Sequence, residues 1–477
     1  MRLSLFDAAA AARPAEREYT GLRRAAPIEL LAPLFALILG LGLCLTGLMP
    51  FGFITHATWE LKRGDVASAL WLAVLSGLSF FVLLRWCAIQ SFAFVAHVLR
   101  EQQRRDVQSW PLVSVLVPAY QESDTIASSL RALIELDYPN YEIIVVDDGS
   151  SDDTFQKASM FVGDHGRCRV QLFRKPNGGK WSALNLGFAH AAGPLVLCID
   201  ADSRLAPDAL KRLVSRMDDP GVSGVSGQIT VRNRRNLIAR LQAYEYVVAN
   251  GGLRTAQSLF GLVLVVPGPI GLYRRSALQQ IVDATASGAD GRPQDGGVAG
   301  PFSHETFAED FQLSLTILAL GGRIVYEPRA VSYTKAPELT ATLLSQRYRW
   351  FRGTIQVLRI YHRRLRHLPA SRKRRLTLVI AMVYLLDLCV LPIVNFVIFV
   401  ALVVSAATTP VSADLLTWIM AIWLLNLLTG TFHVLVQGDD LSLLSLVPLY
   451  DLYHGLLLNS AWTIAVADEL RQSKMQW

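Results

Sequence analysis

The sequence predicts an α/β domain with a mostly parallel sheet and helices on both faces, inserted between transmembrane α-helices. The chain has 477 residues, of which 52% are hydrophobic and only 18% charged. Its mean hydropathy of +0.33 is too high for an ordinary soluble domain. Long apolar runs flank a middle region in which short β-branched runs alternate with helical patterns. That alternation is typical of a parallel sheet covered on both faces.

Five apolar runs are long enough to cross the hydrocarbon core of a bilayer. They cover residues 28–50, 66–97, 376–405, 414–436 and 441–467. Basic residues lie before the first run, after the second and before the third, as the positive-inside rule expects of cytoplasmic segments. We therefore expect a multi-pass protein of the cell inner membrane with a cytoplasmic middle domain. Arg471 and Lys474 conflict with the outside C-terminus that five spans require.

These patterns divide the chain into four parts. They are an N-terminal segment with two transmembrane helices (1–107), a cytoplasmic domain (108–335), interfacial helices with a basic linker (336–375) and about three transmembrane helices (376–477). Nucleic acid is not an expected partner, because no aromatic residues interleave the basic clusters. The five cysteines show no paired spacing, which argues against disulfides and a cysteine-based zinc site.

Polar segments follow four predicted strands of the middle domain. The strands are 113–118, 141–146, 168–173 and 194–200, and helical patterns such as 123–136 and 207–217 lie between them. The segments at the strand ends read PAYQE, DDGSSDD, RKPNGGK and DADS. Ligands of such sheets bind beyond the carboxyl ends of the strands, so we expect the functional site there.

Asp200 and Asp202 close the fourth predicted strand. Two carboxylates flanking one residue suit a hard divalent ion, Mg²⁺ or Mn²⁺, that also holds a diphosphate. An Asx-turn or a helix cap explains the same pattern without a metal.

The second and third strand ends offer further candidate ligands. Asp148 is a candidate acceptor of hydrogen bonds from a base or a ribose, with Glu122 nearby, although Asp-Gly sequences also favour tight turns. Lys180 follows two glycines before a predicted helix and can meet an anion at the helix N-terminus. The spacing is not that of a P-loop, which argues against an ATPase.

Two later motifs complete the set. Glu309 and Asp310 open a predicted helix, where Asp310 is a candidate general base, although acidic residues are common in first helical turns. Gln346, Arg349 and Trp350 fall on one face of another helix. They suit a diphosphate and a sugar ring, whereas an interfacial helix with snorkelling arginines is the alternative.

Together, and in this order, these motifs resemble the family 2 glycosyltransferases, specifically the membrane-embedded processive β-glycan synthases. Those include hyaluronan, chitin, cellulose and poly-N-acetylglucosamine synthases. The matching pieces are PAYQE (118–122), VVDDGSSD (145–152), NGGKWSALN (177–185), DADS (200–203), PGPIGLYRRSAL (267–278), AEDFQL (308–313) and QRYRW (346–350). The resemblance implies a GT-A-like nucleotide-sugar-binding domain.

The resemblance also implies a role for each matching residue. Asp310 is implied as the catalytic base, beside Glu309, with Arg349 stabilising the departing diphosphate. Asp202 is implied as the ligand of Mg²⁺ or Mn²⁺. The residues implied to bind the nucleotide-sugar are Pro118, Tyr120, Glu122, Asp147, Asp148, Lys180 and Asp200. Those implied to hold the diphosphate and the acceptor are Gln346, Arg347, Arg349 and Trp350.

The implied function is inverting transfer of a sugar from a UDP-sugar, above all UDP-N-acetylglucosamine, to a growing β-linked polysaccharide. Coupling of synthesis to membrane translocation is a further expectation. Expected partners are the UDP-sugar donor, a glycan acceptor, the lipid bilayer and export subunits. Transfer of a single sugar to a lipid acceptor is the alternative. A transporter with a regulatory soluble domain is a third interpretation, which leaves the ordered motifs unexplained.

Two positions depart from the pattern of the family. Ala308 stands where most relatives have Thr, and Val-Pro-Gly at 266–268 replaces a Ser or Cys before the glycine. Ionisable residues inside the apolar runs are candidates for lining a polymer passage, with hydrogen bonding between helices as an equal alternative. They are Asp387, His433, Asp451 and His454.

Overall fold

The computed structural model describes residues 26–102, 109–286, 300–364, 376–377, 380, 392 and 413–473. Within them, an α/β domain lies between long apolar helices. The N-terminal segment 1–25 and the basic linker 365–375 of the predicted division lie outside the described residues.

A nine-stranded sheet forms the centre of the described structure. Its strands are β1 (Val113–Ala119), β2 (Tyr141–Asp147), β3 (Gly163–Asp164), β4 (Cys168–Arg174), β5 (Leu195–Cys198), β6 (Arg204–Leu205), β7 (Val222–Val231), β8 (Gly271–Arg274) and β9 (Arg323–Thr334). They lie in the order β3-β4-β2-β1-β5-β8-β7-β9-β6. The four strands predicted from the sequence are β1, β2, β4 and β5.

The central strands are buried on both faces, which explains their continuous apolar sequences. In β1, Val115 faces one hydrophobic core and Leu116 faces the other. In β2, Ile143 faces the same core as Val115, and Ile144 faces the same core as Leu116. Successive side chains of a strand point to opposite faces, so one apolar run supplies two cores.

Four neighbouring strands, β4, β2, β1 and β5, are parallel, and antiparallel pairs join the strands on either side of them. β1 pairs in parallel with β2 and β5, and β2 pairs in parallel with β4. β8 runs antiparallel to both β5 and β7. The expected parallel sheet is thus present in its central strands, and β7 also pairs in parallel with β9, so that the whole sheet is mixed. The chain enters β8 at Gly271, opposite Cys198 at the carboxyl end of β5, and so must run back along it.

Helices cover both faces of this sheet. They are α3 (Ile126–Ile134), α4 (Thr154–Ser159), α5 (Lys180–His190), α6 (Ala209–Arg216), α7 (Leu237–Glu245), the π-helix π1 (Tyr246–Gly251), α8 (Gly252–Leu259), α9 (Arg275–Ala286), α10 (Glu309–Ala319) and α11 (Thr340–Arg364). In α6, for example, Leu210, Leu213 and Val214 are buried. Their spacing places them on one helical face, as expected of a helix packed on a sheet.

Apolar helices lie on either side of the domain. They are α1 (Ile28–Lys62), α2 (Val66–Gln102), α12 (Ala413–Gln437), a 3₁₀ turn (Leu441–Leu446), α13 (Val447–Leu452), the π-helix π2 (Tyr453–Leu458) and α14 (Asn459–Leu470). Among the described residues, four segments are long and apolar enough to cross a membrane. They are Ile28–Lys62, Val66–Arg100, Met420–Gln437 and Leu441–Leu470. The predicted span 376–405 lies mostly outside the described residues.

Two of the ionisable groups in the apolar runs contact other helices. His433 is buried, and its Nε2 lies 2.9 Å from Oε1 of Gln90 on α2. Asp451 accepts a hydrogen bond, 3.3 Å long, from an asparagine of α12. These contacts support hydrogen bonding between helices. Asp387 lies outside the described residues, and a polymer passage stays a prediction.

Candidate active site

Five of the predicted site residues line one cleft at the carboxyl ends of β1 and β5. The cleft contains about 330 Å³ of space and opens to solvent. Pro118 comes from β1, Asp200 follows β5, and Lys180 begins α5. Glu309 and Asp310 come from the first turn of α10. The sheet thus brings together side chains that lie nearly 200 positions apart in the sequence.

Lys180 lies between two carboxylates of this cleft. Its Nζ is 2.6 Å from Oδ1 of Asp200 and 3.3 Å from Oε1 of Glu309. Partial burial alone lowers the pKa of Lys180, but Asp200 and Glu309 outweigh that effect and hold the pKa well above its ordinary value. The ammonium group is therefore charged at neutral pH.

Gly268 leaves the room that the ammonium group occupies. A Cβ atom at this position would lie 2.6 Å from Nζ of Lys180 and 3.2 Å from Oδ1 of Asp200. Gly268 belongs to the PGPIGL segment, for which the sequence indicated no specific role. A glycine between two prolines is the signal that could have marked it, since glycine permits a close approach of backbone and ligand.

The surroundings of Asp310 raise the pKa of its carboxyl group. The backbone N–H of Phe311 donates a 2.7 Å hydrogen bond to its Oδ1. Burial, followed by repulsion from Glu309, raises the pKa of Asp310 to about 6, although Lys180 partly opposes the shift. Such a carboxylate is ionised at neutral pH and more basic than an exposed one.

A second acidic group adjoins the cleft. Burial raises the pKa of Asp202 to about 6, and the nearby Asp200 and Glu122 add to the shift. The Ser203 hydroxyl donates a 3.1 Å hydrogen bond to Oδ1 of Asp202. Burial also raises the pKa of Glu122, which accepts a 2.5 Å hydrogen bond from Thr125. Mutual repulsion among these carboxylates makes the site attractive to a cation.

Asp148 shapes the loop that leads to Lys180. It is 2% exposed, and Nζ of Lys175 lies 2.5 Å from its Oδ1. The N–H groups of Gly178 and Gly179 donate to its two oxygens, at 3.1 and 2.7 Å. These contacts fix residues 175–179, so a structural role is evident. The predicted contact with a nucleotide stays a prediction.

The other predicted donor-binding residues differ widely in exposure. Asp147 is fully buried beneath Arg174, whose Nε lies 3.1 Å from its Oδ2. Tyr120 follows β1 and is 50% exposed, so its ring is available to a ligand.

On α11, the side chains of the QRYRW motif separate into two environments. Arg349 and Trp350 are exposed, and Gln346 is half-buried. Oε1 of Gln346 has no hydrogen-bond partner among the described residues. Arg349 and Trp350 thus offer exposed surface, whereas the unpaired oxygen of Gln346 is buried. Their role in binding an acceptor and a diphosphate stays a prediction.

Arg347 does not share this exposure, which corrects its grouping with the acceptor-binding residues. It is 3% exposed, and its Nη2 lies 2.8 Å from Oε2 of Glu245, at the end of α7. Glu245 accepts a second hydrogen bond, 2.9 Å long, from the Tyr453 hydroxyl in π2. The spacing of the motif could not reveal this, because the partner lies 102 positions away in the sequence.

Helix α11 packs directly on the segment that carries the candidate base. A Cβ atom at Gly353 would lie 2.8 Å from the backbone nitrogen of Ala308 and 2.9 Å from its Cβ. The Tyr361 hydroxyl donates a 3.0 Å hydrogen bond to the Leu315 carbonyl of α10. This close packing fits the small side chain of Ala308.

Comparisons with known proteins agree with this geometry. The family model described as Glycosyl transferase family 2 matches residues 114–282. The chain is 31% identical over 247 residues to a poly-beta-1,6-N-acetyl-D-glucosamine synthase of Staphylococcus epidermidis, covering 52% of this chain and 55% of the relative. It is 34% identical over 261 residues to an N-acetylglucosaminyltransferase of Sinorhizobium fredii, covering 52% and 60%. The chain spans little more than half the length of these curated relatives.

Among solved structures, the chain is similar to a mannosyltransferase of Pyrobaculum calidifontis in complex with GDP-Man and Mn²⁺. The TM-score is 0.51 at 20% identity, covering 83% of this chain and 98% of the other. At this identity the likeness is one of fold alone. The fold is GT-A-like, and with the family match it defines a glycosyltransferase domain that lies between apolar helices.

More particularly, the chain carries a glycosyltransferase family 2 domain at residues 114–282. The resemblance to family 2 glycosyltransferases that the ordered motifs indicate is thereby confirmed, and processive synthesis stays a prediction.

Proposed function

We propose that the protein is an inverting glycosyltransferase that transfers N-acetylglucosamine from UDP-N-acetylglucosamine to a growing β-linked glycan. The observation that carries the proposal is the convergence of Lys180, Asp200 and Asp310 in one cleft of a family 2 domain. The names of the relatives support the choice of sugar.

In the proposed reaction, Asp310 removes the proton from an acceptor hydroxyl. The hydroxyl oxygen forms a bond to the anomeric carbon as the bond from that carbon to the diphosphate oxygen breaks. A single in-line displacement inverts the configuration, and UDP leaves with the bonding electrons. The raised pKa of Asp310, about 6, supports its role, because the group is ionised at neutral pH and still a useful base.

Cationic side chains stabilise the departing diphosphate in this proposal. Lys180 is charged and already held in the cleft by Asp200 and Glu309. Arg349 is exposed and, within the described part of the chain, has no ion-pair partner that would hold it away from a phosphate. Trp350, 41% exposed, offers a flat apolar surface to a sugar ring of the acceptor.

We also propose Mg²⁺ or Mn²⁺ as a cofactor, held by Asp202 with Asp200 beside it. The donor set fits, because the side chains supply carboxylate oxygens and repel one another without a cation. In the described ranges, no three or more His, Cys, Asp or Glu side chains group to hold a metal ion. One or two carboxylates, the diphosphate and water suffice for Mg²⁺. When bound, the ion would neutralise charge on the diphosphate.

Binding calorimetry tests the metal proposal independently of catalysis. UDP should bind the purified protein more tightly with Mn²⁺ than with a chelator, and Asp202→Asn should remove that difference. The exposed Asp218 provides a matched control, because Asp218→Asn changes the charge equally at a distant surface. Equal metal dependence in both variants would assign the ion to other residues.

The reaction itself is tested by offering radiolabelled nucleotide-sugars to the purified protein. We expect incorporation from UDP-N-acetylglucosamine into a product that a β-specific N-acetylglucosaminidase digests. A ladder or high-mass smear on a gel indicates processive synthesis, whereas one added sugar on a lipid indicates the alternative. Absence of incorporation from every donor, with every acceptor, would overturn the proposal.

We propose that the protein lies in the cell inner membrane, with the family 2 domain on the cytoplasmic side. The four apolar segments support a membrane location. External protease should leave the domain intact in spheroplasts and cut it after lysis; cleavage before lysis would reverse the orientation. Coupling to translocation and export subunits remain expectations.

A further inference from the structure

A buried arginine lies beneath the exposed ring that we assign to the acceptor. The guanidinium carbon of Arg347 is 4.4 Å from the centroid of the Trp350 ring, one helical turn away on α11. A cation over an aromatic face attracts it electrostatically. An exposed tryptophan would otherwise exchange between rotamers, so this contact restricts the orientation of the indole plane.

The position of Arg347 is fixed in turn by two other parts of the molecule. Oε2 of Glu245, the last residue of α7 in the family 2 domain, lies 2.8 Å from Nη2 of Arg347. The Tyr453 hydroxyl, from the last apolar segment, donates to the same oxygen at 2.9 Å. All three residues are buried, Arg347 and Tyr453 to 3% exposure and Glu245 to 9%. Burial of a charged pair requires such well-formed partners, so the arrangement has little freedom.

The last apolar segment also holds the next part of α11. Nε of Arg352 lies 3.1 Å from Oε2 of Glu469, and the Tyr348 hydroxyl donates a 2.8 Å hydrogen bond to Oδ2 of Asp468. The helix is therefore docked along α14 as well as on α10. These contacts fix the position of α11, whereas Arg347 contacts the Trp350 ring itself.

We propose that Arg347, Glu245 and Tyr453 are positioning residues that orient Trp350 to stack against the terminal sugar of a β-linked acceptor glycan. The acceptor site is then complete only when the segment Leu441–Leu470 is docked. This inference rests on the proposed function and deepens it. Removal of the cation should weaken acceptor binding and leave the donor site and the base unchanged.

The test compares two buried ion pairs of the same helix. In the doubly neutral variant R347Q/E245Q, two amides can still form a hydrogen bond, which preserves folding better than either single change. The matched control is Arg352→Gln, which disturbs a buried pair five residues along without touching Trp350. Purified proteins are assayed for the KM of a β-linked N-acetylglucosamine oligosaccharide, the KM of UDP-N-acetylglucosamine, donor hydrolysis without acceptor, and melting temperature.

We expect R347Q/E245Q to raise the acceptor KM about tenfold, the range of a desolvated cation–π contact. Donor KM and donor hydrolysis should stay at the wild-type level. In a Trp350→Ala background the same pair of changes should have no further effect on acceptor KM. Tyr453→Phe should raise the acceptor KM by a smaller factor.

Different results would overturn the positioning role and the proposed function. If the effects of R347Q/E245Q and Trp350→Ala add fully, or if Arg352→Gln raises the acceptor KM equally, the residues merely hold the helix and the inference is overturned. If the wild-type protein neither hydrolyses nor transfers the donor, the proposed function fails instead. The assay of donor hydrolysis without acceptor distinguishes this failure from that of the inference.

Discussion

Two clusters of charged side chains in this molecule are built in opposite ways. In the cleft, one ammonium group, that of Lys180, faces Asp200, Glu309 and Asp310, and acidic groups exceed basic ones. At the junction with the last apolar segment, Arg347 and Glu245 balance one another one to one. The Lys180 side chain is 38% exposed, whereas that of Arg347 is 3% exposed.

This difference in charge balance and exposure distinguishes a site that can bind a ligand from a contact that docks one part of the chain on another. Burial, together with the excess of negative charge, raises the pKa values of Asp310 and Asp202 and favours a cationic ligand that restores the balance. A balanced, sealed pair has nothing to gain from a ligand, and it fixes the geometry of the chain instead. Variants of the cleft should therefore change the rate of sugar transfer, and variants of the junction should change stability and the acceptor KM.

The largest expected effect is that of Asp310→Asn. Removal of a general base lowers the rate of sugar transfer about 10²- to 10⁴-fold. The melting temperature should hold or rise, because the change removes a buried charge that Glu309 repels. Transfer from UDP-N-acetylglucosamine and thermal unfolding in detergent measure the two quantities.

The exposed Asp218 again supplies the control. Asp218→Asn should retain wild-type transfer and melting. Wild-type rates in Asp310→Asn would remove the base from the proposed mechanism and weaken the contrast between the two clusters.

The next effect concerns stability at the junction. Arg347→Gln alone leaves the Glu245 carboxylate buried without its cation, which destabilises the fold by about 3–5 kcal/mol. Lys180→Gln, at a partly exposed site, should change the free energy of unfolding by less than about 1 kcal/mol. Denaturant titration of the detergent-solubilised variants measures both. Equal losses would contradict the division between binding and docking.

The cleft was more predictable from sequence than the junction. Pro118 and Asp200 lie at the ends of short apolar strands and Asp310 lies in the first turn of a helix, and local patterns locate such positions. The carboxyl ends of parallel strands then bring them together without knowledge of distant contacts. The strands β1, β2, β4 and β5 were identifiable for the same reason.

The rest depends on contacts between distant parts of the chain. Glu245, Arg347 and Tyr453 meet across more than 200 positions, and no spacing encodes that meeting. β8 has only four residues, and the polar and glycine residues of β7 interrupt its apolar pattern. These two strands therefore left no clear periodic signal.

A smaller effect should follow from adding one methyl group at Gly268. In Gly268→Ala the new Cβ displaces the Lys180 ammonium, because the present separation would be 2.6 Å. A displacement near 1 Å at a reacting centre lowers the rate by up to about 10²-fold. Gly77→Ala is the control, since no atom lies within 4 Å of a Cβ there. Unchanged transfer in Gly268→Ala would show that the position of Lys180 is not critical.

The smallest expected effect is a pH dependence in which activity and stability change in opposite directions. Asp310 must be ionised to act as a base, so kcat/KM should fall about tenfold per unit as the pH drops below about 6. Stability responds in the other direction. The pKa of Asp310 is raised in the fold, so the protonated form favours the folded state, and this contribution is lost as the pH rises from about 4 through 6. Asp310→Asn should remove this component of the stability profile, which a series of melting curves between pH 4 and pH 8 would detect. A wild-type profile of kcat/KM that stays flat down to pH 5 would mean that the group is not the titrating base.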